Sequence, residues 1–209
     1  YLKEQKKLFN SAYLLNESGQ LKASYDKKHL VPFGEYIPFA ILMKKVGLAA
    51  FVGNGITGFT EGDIQNSMSL GSIPVFAILI CYESIFSYEV DENISEVEWL
   101  VHLTNDAWFG SYSGPQQHLM HLQARAIEQG LPVFRSANTG ISALIDPYGR
   151  IIHRLDLNTE GYIDAQLLKK IGLTPYSNWG AKKWNTLLFC LIVLSIILCF
   201  IKDDQLSEN

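Results

Sequence analysis

Three stretches of the chain share one pattern, a dense apolar run that stops abruptly on small or polar residues. Ser72–Ile80 (SIPVFAILI) is almost continuously apolar and ends at Cys81-Tyr82-Glu83-Ser84. Glu98–Leu103 (EWLVHL) runs into Thr104-Asn105-Asp106, and Pro132–Ser136 (PVFRS) runs into Ala137-Asn138-Thr139-Gly140. Short unbroken apolar runs bounded by turn residues predict strands buried on both faces. Between the second and third, Gly114–Gly130 predicts a helix. Pro115 sits in its first turn, Leu119, Leu122, Ala126 and Ile127 form one face, and Gly130 is the stop. A further helical stretch is expected after Cys81, and a short helix over Ile37–Val46. Two hairpins complete the pattern. SAYLLNESGQLKASY crosses a turn at Asn16–Gly19, and Ile141–Asp146 pairs with Ile151–Leu155 across Pro147-Tyr148-Gly149-Arg150. Buried strands alternating with helices predict an α/β layered domain.

The last apolar run is of another kind. Leu187–Ile201 (LLFCLIVLSIILCFI) has neither the period of an amphipathic helix nor a later element to cover it. Counted from Trp184 it predicts a helix of about 27 Å, enough for a tilted membrane span. Lys182, Lys183 and Trp184 would anchor one end and Lys202 the other. This run also accounts for the mean hydropathy of +0.08; without it the remainder falls to roughly −0.2. The organisation that follows is a catalytic domain over 1–175, a linker over 176–183, a transmembrane helix over 184–202 and a polar tail over 203–209.

Composition removes several classes. The 209 residues carry 17 Lys plus Arg against 21 Asp plus Glu, a net charge of −4, with 48% apolar residues. Neither a disordered chain nor a basic nucleic-acid binder fits those values. Of three cysteines, Cys190 and Cys199 lie in the apolar tail, which leaves Cys81 in the body and no disulfide framework.

Cys81 stands where open α/β sheets place reactive groups, at the C-terminal end of a buried strand before a helical turn. Backbone N–H groups there favour a thiolate and a developing oxyanion. A nucleophilic Cys needs a base and an oxyanion partner. His29, His102, His118 and His121 are all available, and none has a distinguishing setting. His118 and His121 are three apart with no accompanying carboxylate signature, so no metal and no cofactor are expected. Lys27 or Lys28 could supply the positive charge.

Five blocks make the reading specific. They are Tyr25-Asp26-Lys27-Lys28-His29-Leu30-Val31-Pro32-Phe33-Gly34-Glu35; Cys81-Tyr82-Glu83-Ser84; Asn105-Asp106-Ala107-Trp108-Phe109-Gly110; Gln123-Ala124-Arg125-Ala126-Ile127-Glu128; and Arg135-Ser136-Ala137-Asn138-Thr139-Gly140-Ile141-Ser142. In order and spacing they resemble the nitrilase, or carbon-nitrogen hydrolase, superfamily. With the apolar tail they resemble, within it, the apolipoprotein N-acyltransferase family. The resemblance covers about residues 20–165 and the tail.

The resemblance implies an α-β-β-α sandwich, incomplete at its N-terminus, followed by one C-terminal transmembrane helix. It also implies an N-acyltransferase whose nucleophile is Cys81, whose oxyanion-stabilising lysine is Lys27 and whose supporting glutamate is Glu35, with Tyr82 and Glu83 supporting the site. Its partners would be a phospholipid acyl donor, a diacylglyceryl apolipoprotein acceptor and the bilayer.

The family's general-base glutamate lies upstream of the YxKxHL block and has no match in this chain; Glu4 and Glu17 are poor substitutes. The chain is therefore expected to be the C-terminal portion of a longer enzyme, inactive by itself. The lysines before the tail, taken alone, would place the body in the cytoplasm. The resemblance implies the opposite, a bacterial inner-membrane protein with a periplasmic catalytic domain. Gly53–Asp63 and Trp108-Phe109-Gly110 are the candidate lipid-facing segments. The competing readings are a soluble nitrilase-type amidase using the same Cys-Lys-Glu chemistry, and a membrane-anchored scaffold without catalysis.

Overall fold

The computed structural model describes residues 7–39, 58–63, 66–87 and 95–207, with the side chains of 181–182 and 200–207 excluded. Of the expected helix over Ile37–Val46 only 37–39 are described, without helical structure, and the rest lies outside the described residues. So does the first part of the Gly53–Asp63 loop.

Strands β1 (Ser11–Leu15) and β2 (Leu21–Asp26) form an antiparallel hairpin. Its turn is closed by the Asn16 side-chain oxygen, which accepts from the N–H groups of Ser18 and Gln20. A second sheet holds six strands in sequence order: β3 (Ser67–Leu70), β4 (Ile73–Ile80), β5 (Trp99–Asn105), β6 (Val133–Asn138), β7 (Ser142–Ile145) and β8 (Ile151–Leu155). β4, β5 and β6 are parallel, and every other pairing is antiparallel.

The alternation of side chains along a strand splits the core in two. Ala77, Leu79, Leu100, Val133, Ala143 and Ile145 face one way and pack with Leu119, Leu122 and Ala126 of helix α1 (Ser113–Gln129). Phe76, Ile78 and Ile80 face the other way and pack with Ala12 and Tyr25 of the hairpin. The layers are therefore helix, six-stranded sheet and two-stranded sheet, as the continuous apolar run of β4 requires.

Several boundaries agree with the pattern and several do not. α1 ends at Gly130, whose φ of 66° is the left-handed conformation a helix stop requires. Ile127, expected on its buried face, is 53% exposed and lies over the Gly149 turn, because the buried arc runs through positions 118, 119, 122, 125, 126 and 129. The helical stretch expected after Cys81 is a single 3₁₀ turn, Cys81–Ile85, among the described residues.

The C-terminal helix α2 (Pro175–Ser207) begins where a linker was expected over 176–183; only Gly180, at φ 71°, breaks it. The expected membrane span over 184–202 is not met as such. Among the described residues no helix is long and apolar enough to cross a membrane. The side chains of 200–202, the end of that span, lie outside the described residues. What the structure does show is that Leu188, Phe189, Leu191, Ile192 and Leu194 stand about half exposed along α2.

Candidate active site

The parallel strands β4, β5 and β6 end side by side, and chemistry collects at that edge. Cys81 follows the last residue of β4 with φ 52°, a left-handed conformation that costs a non-glycine residue about 1–2 kcal/mol. It opens onto a cleft of about 310 Å³ lined also by Asn10, Glu35, Ile80, Leu103, Asn105 and Trp108. The strained turn lifts the Cys81 side chain off the sheet edge into this cleft.

Lys27 continues from β2 and is buried, 1% exposed. Its Nζ donates to Glu35 Oε2 at 2.7 Å. Glu35 Oε2 also accepts from the Val31 N–H, and Oε1 accepts from Asn10 Nδ2, both at 2.8 Å. Burial raises the Glu35 pKa. The hydrogen bonds from Lys27, Val31 and Asn10 outweigh it and hold the carboxyl below its ordinary value. Glu35 is thus a committed anion that fixes the lysine, and among the described residues it is the one carboxylate lining the cleft.

Glu83 joins the two halves of the site. Its Oε1 accepts from the Tyr25 hydroxyl at 2.7 Å and from the N–H groups of Lys28 and His29 at 2.8 and 3.1 Å. Its Oε2 accepts from the Ile80 N–H at 2.7 Å. A fully buried carboxylate therefore clamps the loop after Lys27 onto the turn that carries Cys81. Tyr82 instead joins an aromatic group with His29 and Phe86, at ring-centroid distances of 6.3 and 5.1 Å.

Beneath Cys81 lies a cluster that the sequence pattern did not single out. His102 and Arg135 are direct neighbours across β5 and β6 and share the face under α1. The Arg135 guanidinium donates to His102 Nδ1 at 2.9 Å and to Asp106 Oδ2 at 2.5 Å. Asp106 Oδ1 accepts from His118 Nδ1 at 2.9 Å and from the Thr104 hydroxyl at 3.0 Å. The Nε2 atoms of His102 and His118 both reach the Cys81 carbonyl, at 3.0 and 3.1 Å.

Since Arg can only donate, His102 Nδ1 is the acceptor and its Nε2–H donates to that carbonyl. Burial first, then the neighbouring Arg135 and His118, hold the His102 pKa well below its ordinary value, so the ring is neutral. For Asp106, burial raises the pKa, but the His118 hydrogen bond and the Arg135 charge override it and keep the carboxyl low. His29 and His121 stand apart from this cluster, and His121 is exposed. Among the described residues no group of three His, Cys, Asp or Glu side chains is arranged to hold a metal.

A profile of the carbon-nitrogen hydrolase family matches residues 1–176. The chain belongs to that family. Among curated relatives of this chain, the apolipoprotein N-acyltransferase of Rhodopseudomonas palustris is 42% identical over 91% of the chain and 35% of its own length. The enzyme of the same name from Bradyrhizobium diazoefficiens is 43% identical over 90% of the chain and 35% of its own length. The chain spans about a third of the length of these relatives. Saccharomyces cerevisiae Nit3, a member of the nitrilase superfamily, superposes with a TM-score of 0.54 at 16% identity, over 73% of this chain and 51% of its own. That likeness shows a shared fold: this member of the carbon-nitrogen hydrolase family has the nitrilase-like α/β architecture.

Of the residues singled out in the sequence, Cys81 and Glu35 line one cleft, Lys27 is brought to Glu35, and Glu83 secures both. His102, His118 and Arg135 were missed as a unit. The signal was, for His102 and Arg135, a polar residue on the inward face of an apolar strand and, for His118, a polar residue on the buried face of a helix; neither by itself names a partner.

Proposed function

We propose that this chain carries the catalytic domain of an apolipoprotein N-acyltransferase. The observation that carries the reading is Cys81, held in a left-handed turn above a cleft it shares with Glu35, the carboxylate paired with buried Lys27. The name borne by relatives at 42 and 43% identity supports it.

In this reading the Cys81 thiolate, its proton passed to a base, attacks an ester carbonyl carbon of a phospholipid. An S–C bond forms, the ester C–O bond breaks, and the lysophospholipid leaves with the proton. Lys27 and the main-chain N–H after Cys81 stabilise the tetrahedral oxyanion. The α-amine of a diacylglyceryl-cysteine at a lipoprotein N-terminus then attacks the thioester. A C–N bond forms, the C–S bond breaks, and a proton returns to sulfur. Glu35 holds Lys27; committed to that pair, it is a poor base, and the described residues lining the cleft supply no other carboxylate. The chain by itself is therefore proposed to be inactive.

The exposed apolar side chains of α2 support a membrane-seated enzyme, with α2 in the bacterial inner membrane and the catalytic domain on the periplasmic side. Trp108, 82% exposed on the cleft rim, is the proposed contact for acyl chains. The amidase reading shares the fold but not these features.

The test uses the full-length protein in micelles with a fluorescent phospholipid and a diacylglyceryl-cysteine peptide. Wild type should form a thioester at Cys81, detectable by mass and labile to hydroxylamine, and then the N-acylated peptide. Full activity in Cys81→Ala would refute the reading.

A further inference from the structure

The four groups under Cys81 form a closed ring. From the Cys81 carbonyl it runs through His102, Arg135, Asp106 and His118 back to the same carbonyl. His102, Asp106, His118 and Arg135 are between 0% and 3% exposed. Ser84, whose Oγ lies 3.2 Å from that carbonyl and 3.0 Å from His118 Nε2, closes the remaining gap. Buried polar groups on this scale are costly unless they are satisfied. His102 donates its Nε2–H to the carbonyl, whereas His118, donating from Nδ1 to Asp106, accepts at Nε2 from the Ser84 hydroxyl.

That oxygen belongs to the peptide that follows the left-handed Cys81. The peptide is trans, so the Tyr82 N–H points away from the Cys81 carbonyl. A carbonyl drawn inward by the His102 Nε2–H sends the Tyr82 N–H outward, away from the buried cluster. The same pull holds φ of Cys81 in a conformation it would otherwise leave.

We propose that His102 is a positioning residue for acyl transfer, whose Nε2–H grips the Cys81 carbonyl so that Sγ stands in the cleft and the Tyr82 N–H meets the oxyanion. Arg135, donating to His102 Nδ1, fixes the tautomer and ring orientation that make the grip possible. The inference rests on Cys81 as the nucleophile. It assigns His102 no proton transfer with substrate; its whole effect passes through one peptide plane. A group displaced by about 1 Å, or one missing oxyanion donor, costs about a hundredfold in rate.

The test is single-turnover acylation of the full-length enzyme by a fluorescent phospholipid, with rates divided by the fraction of Cys81 that iodoacetamide alkylates. His102→Leu and His102→Met are run in parallel, so that either one that folds carries the test. Each should slow acylation per alkylatable Cys81 by about 10- to 100-fold while KM for phospholipid stays within about twofold. His102→Gln, whose amide can donate to the same carbonyl, should recover a large part of the rate. A loss confined to the alkylatable fraction, with normal rate per competent site, would mean that His102 only stabilises the fold and would overturn the proposal. So would wild-type rates in both apolar variants. Cys81→Ala separates the two levels. If it is inert while the apolar variants act normally, the positioning role alone fails; if it remains active, the nucleophile reading fails and the positioning role with it.

Discussion

Glu83→Gln tests how the two halves of the site are held together. The wild-type carboxylate is fully buried and accepts four hydrogen bonds, three at Oε1 and one at Oε2. The Oε2 bond reaches back to the Ile80 N–H three residues earlier, as in a capping box. Glutamine keeps one acceptor oxygen. Facing it toward Tyr25, Lys28 and His29 preserves three bonds at reduced strength and turns an NH₂ group against the Ile80 N–H. Facing it the other way opposes the NH₂ to three donors. In the better orientation one bond to a charged acceptor, worth about 1.5–3 kcal/mol, is lost, and a buried N–H is left unsatisfied at about 1–3 kcal/mol. The expected destabilisation is about 3–5 kcal/mol. At a urea slope of about 2 kcal/mol/M the midpoint should fall by about 1.5–2.5 M with the slope unchanged. Acylation should fall in molecules that remain folded, since the Lys27 loop loses its clamp. A midpoint within about 0.3 M of wild type would refute the argument that one carboxylate carries this junction.

Two further outcomes follow from the same contacts. A Cβ at Gly140 would collide with the Asp106 carboxylate, its Cγ at 2.7 Å, so Gly140→Ala should displace Asp106 and cost about 2–3 kcal/mol; an unchanged melting temperature would contradict this. His102 stays neutral when folded but takes a proton when unfolded, so below about pH 6.5 the unfolded state binds more protons and stability falls with pH. Its share has a slope of at most about 1.4 kcal/mol per pH unit, is absent above that range, and should vanish from urea titrations of His102→Gln.

The sequence by itself determined what depends on near neighbours. Period and turn chemistry placed the hairpin β1–β2, the buried strands β4, β5 and β6, the body of α1 with its Gly130 stop, and the hairpin β7–β8. The place of Cys81 was legible because a cysteine that follows a continuous apolar run falls at the end of a buried strand, where the structure puts it. The reach of α1's buried face was less legible, since which flank turns outward depends on the sheet it meets, and Ile127 went to the outer side. Tertiary structure alone decided the rest. Glu83 binds groups 54 to 58 residues away, and His102 and His118 reach the Cys81 carbonyl from 21 and 37 residues away. A histidine on a strand and a histidine on a helix look alike in sequence whether they face solvent or each other. Only the parallel register of β4, β5 and β6, with α1 laid across it, removes them from water and leaves that one carbonyl as their common neighbour.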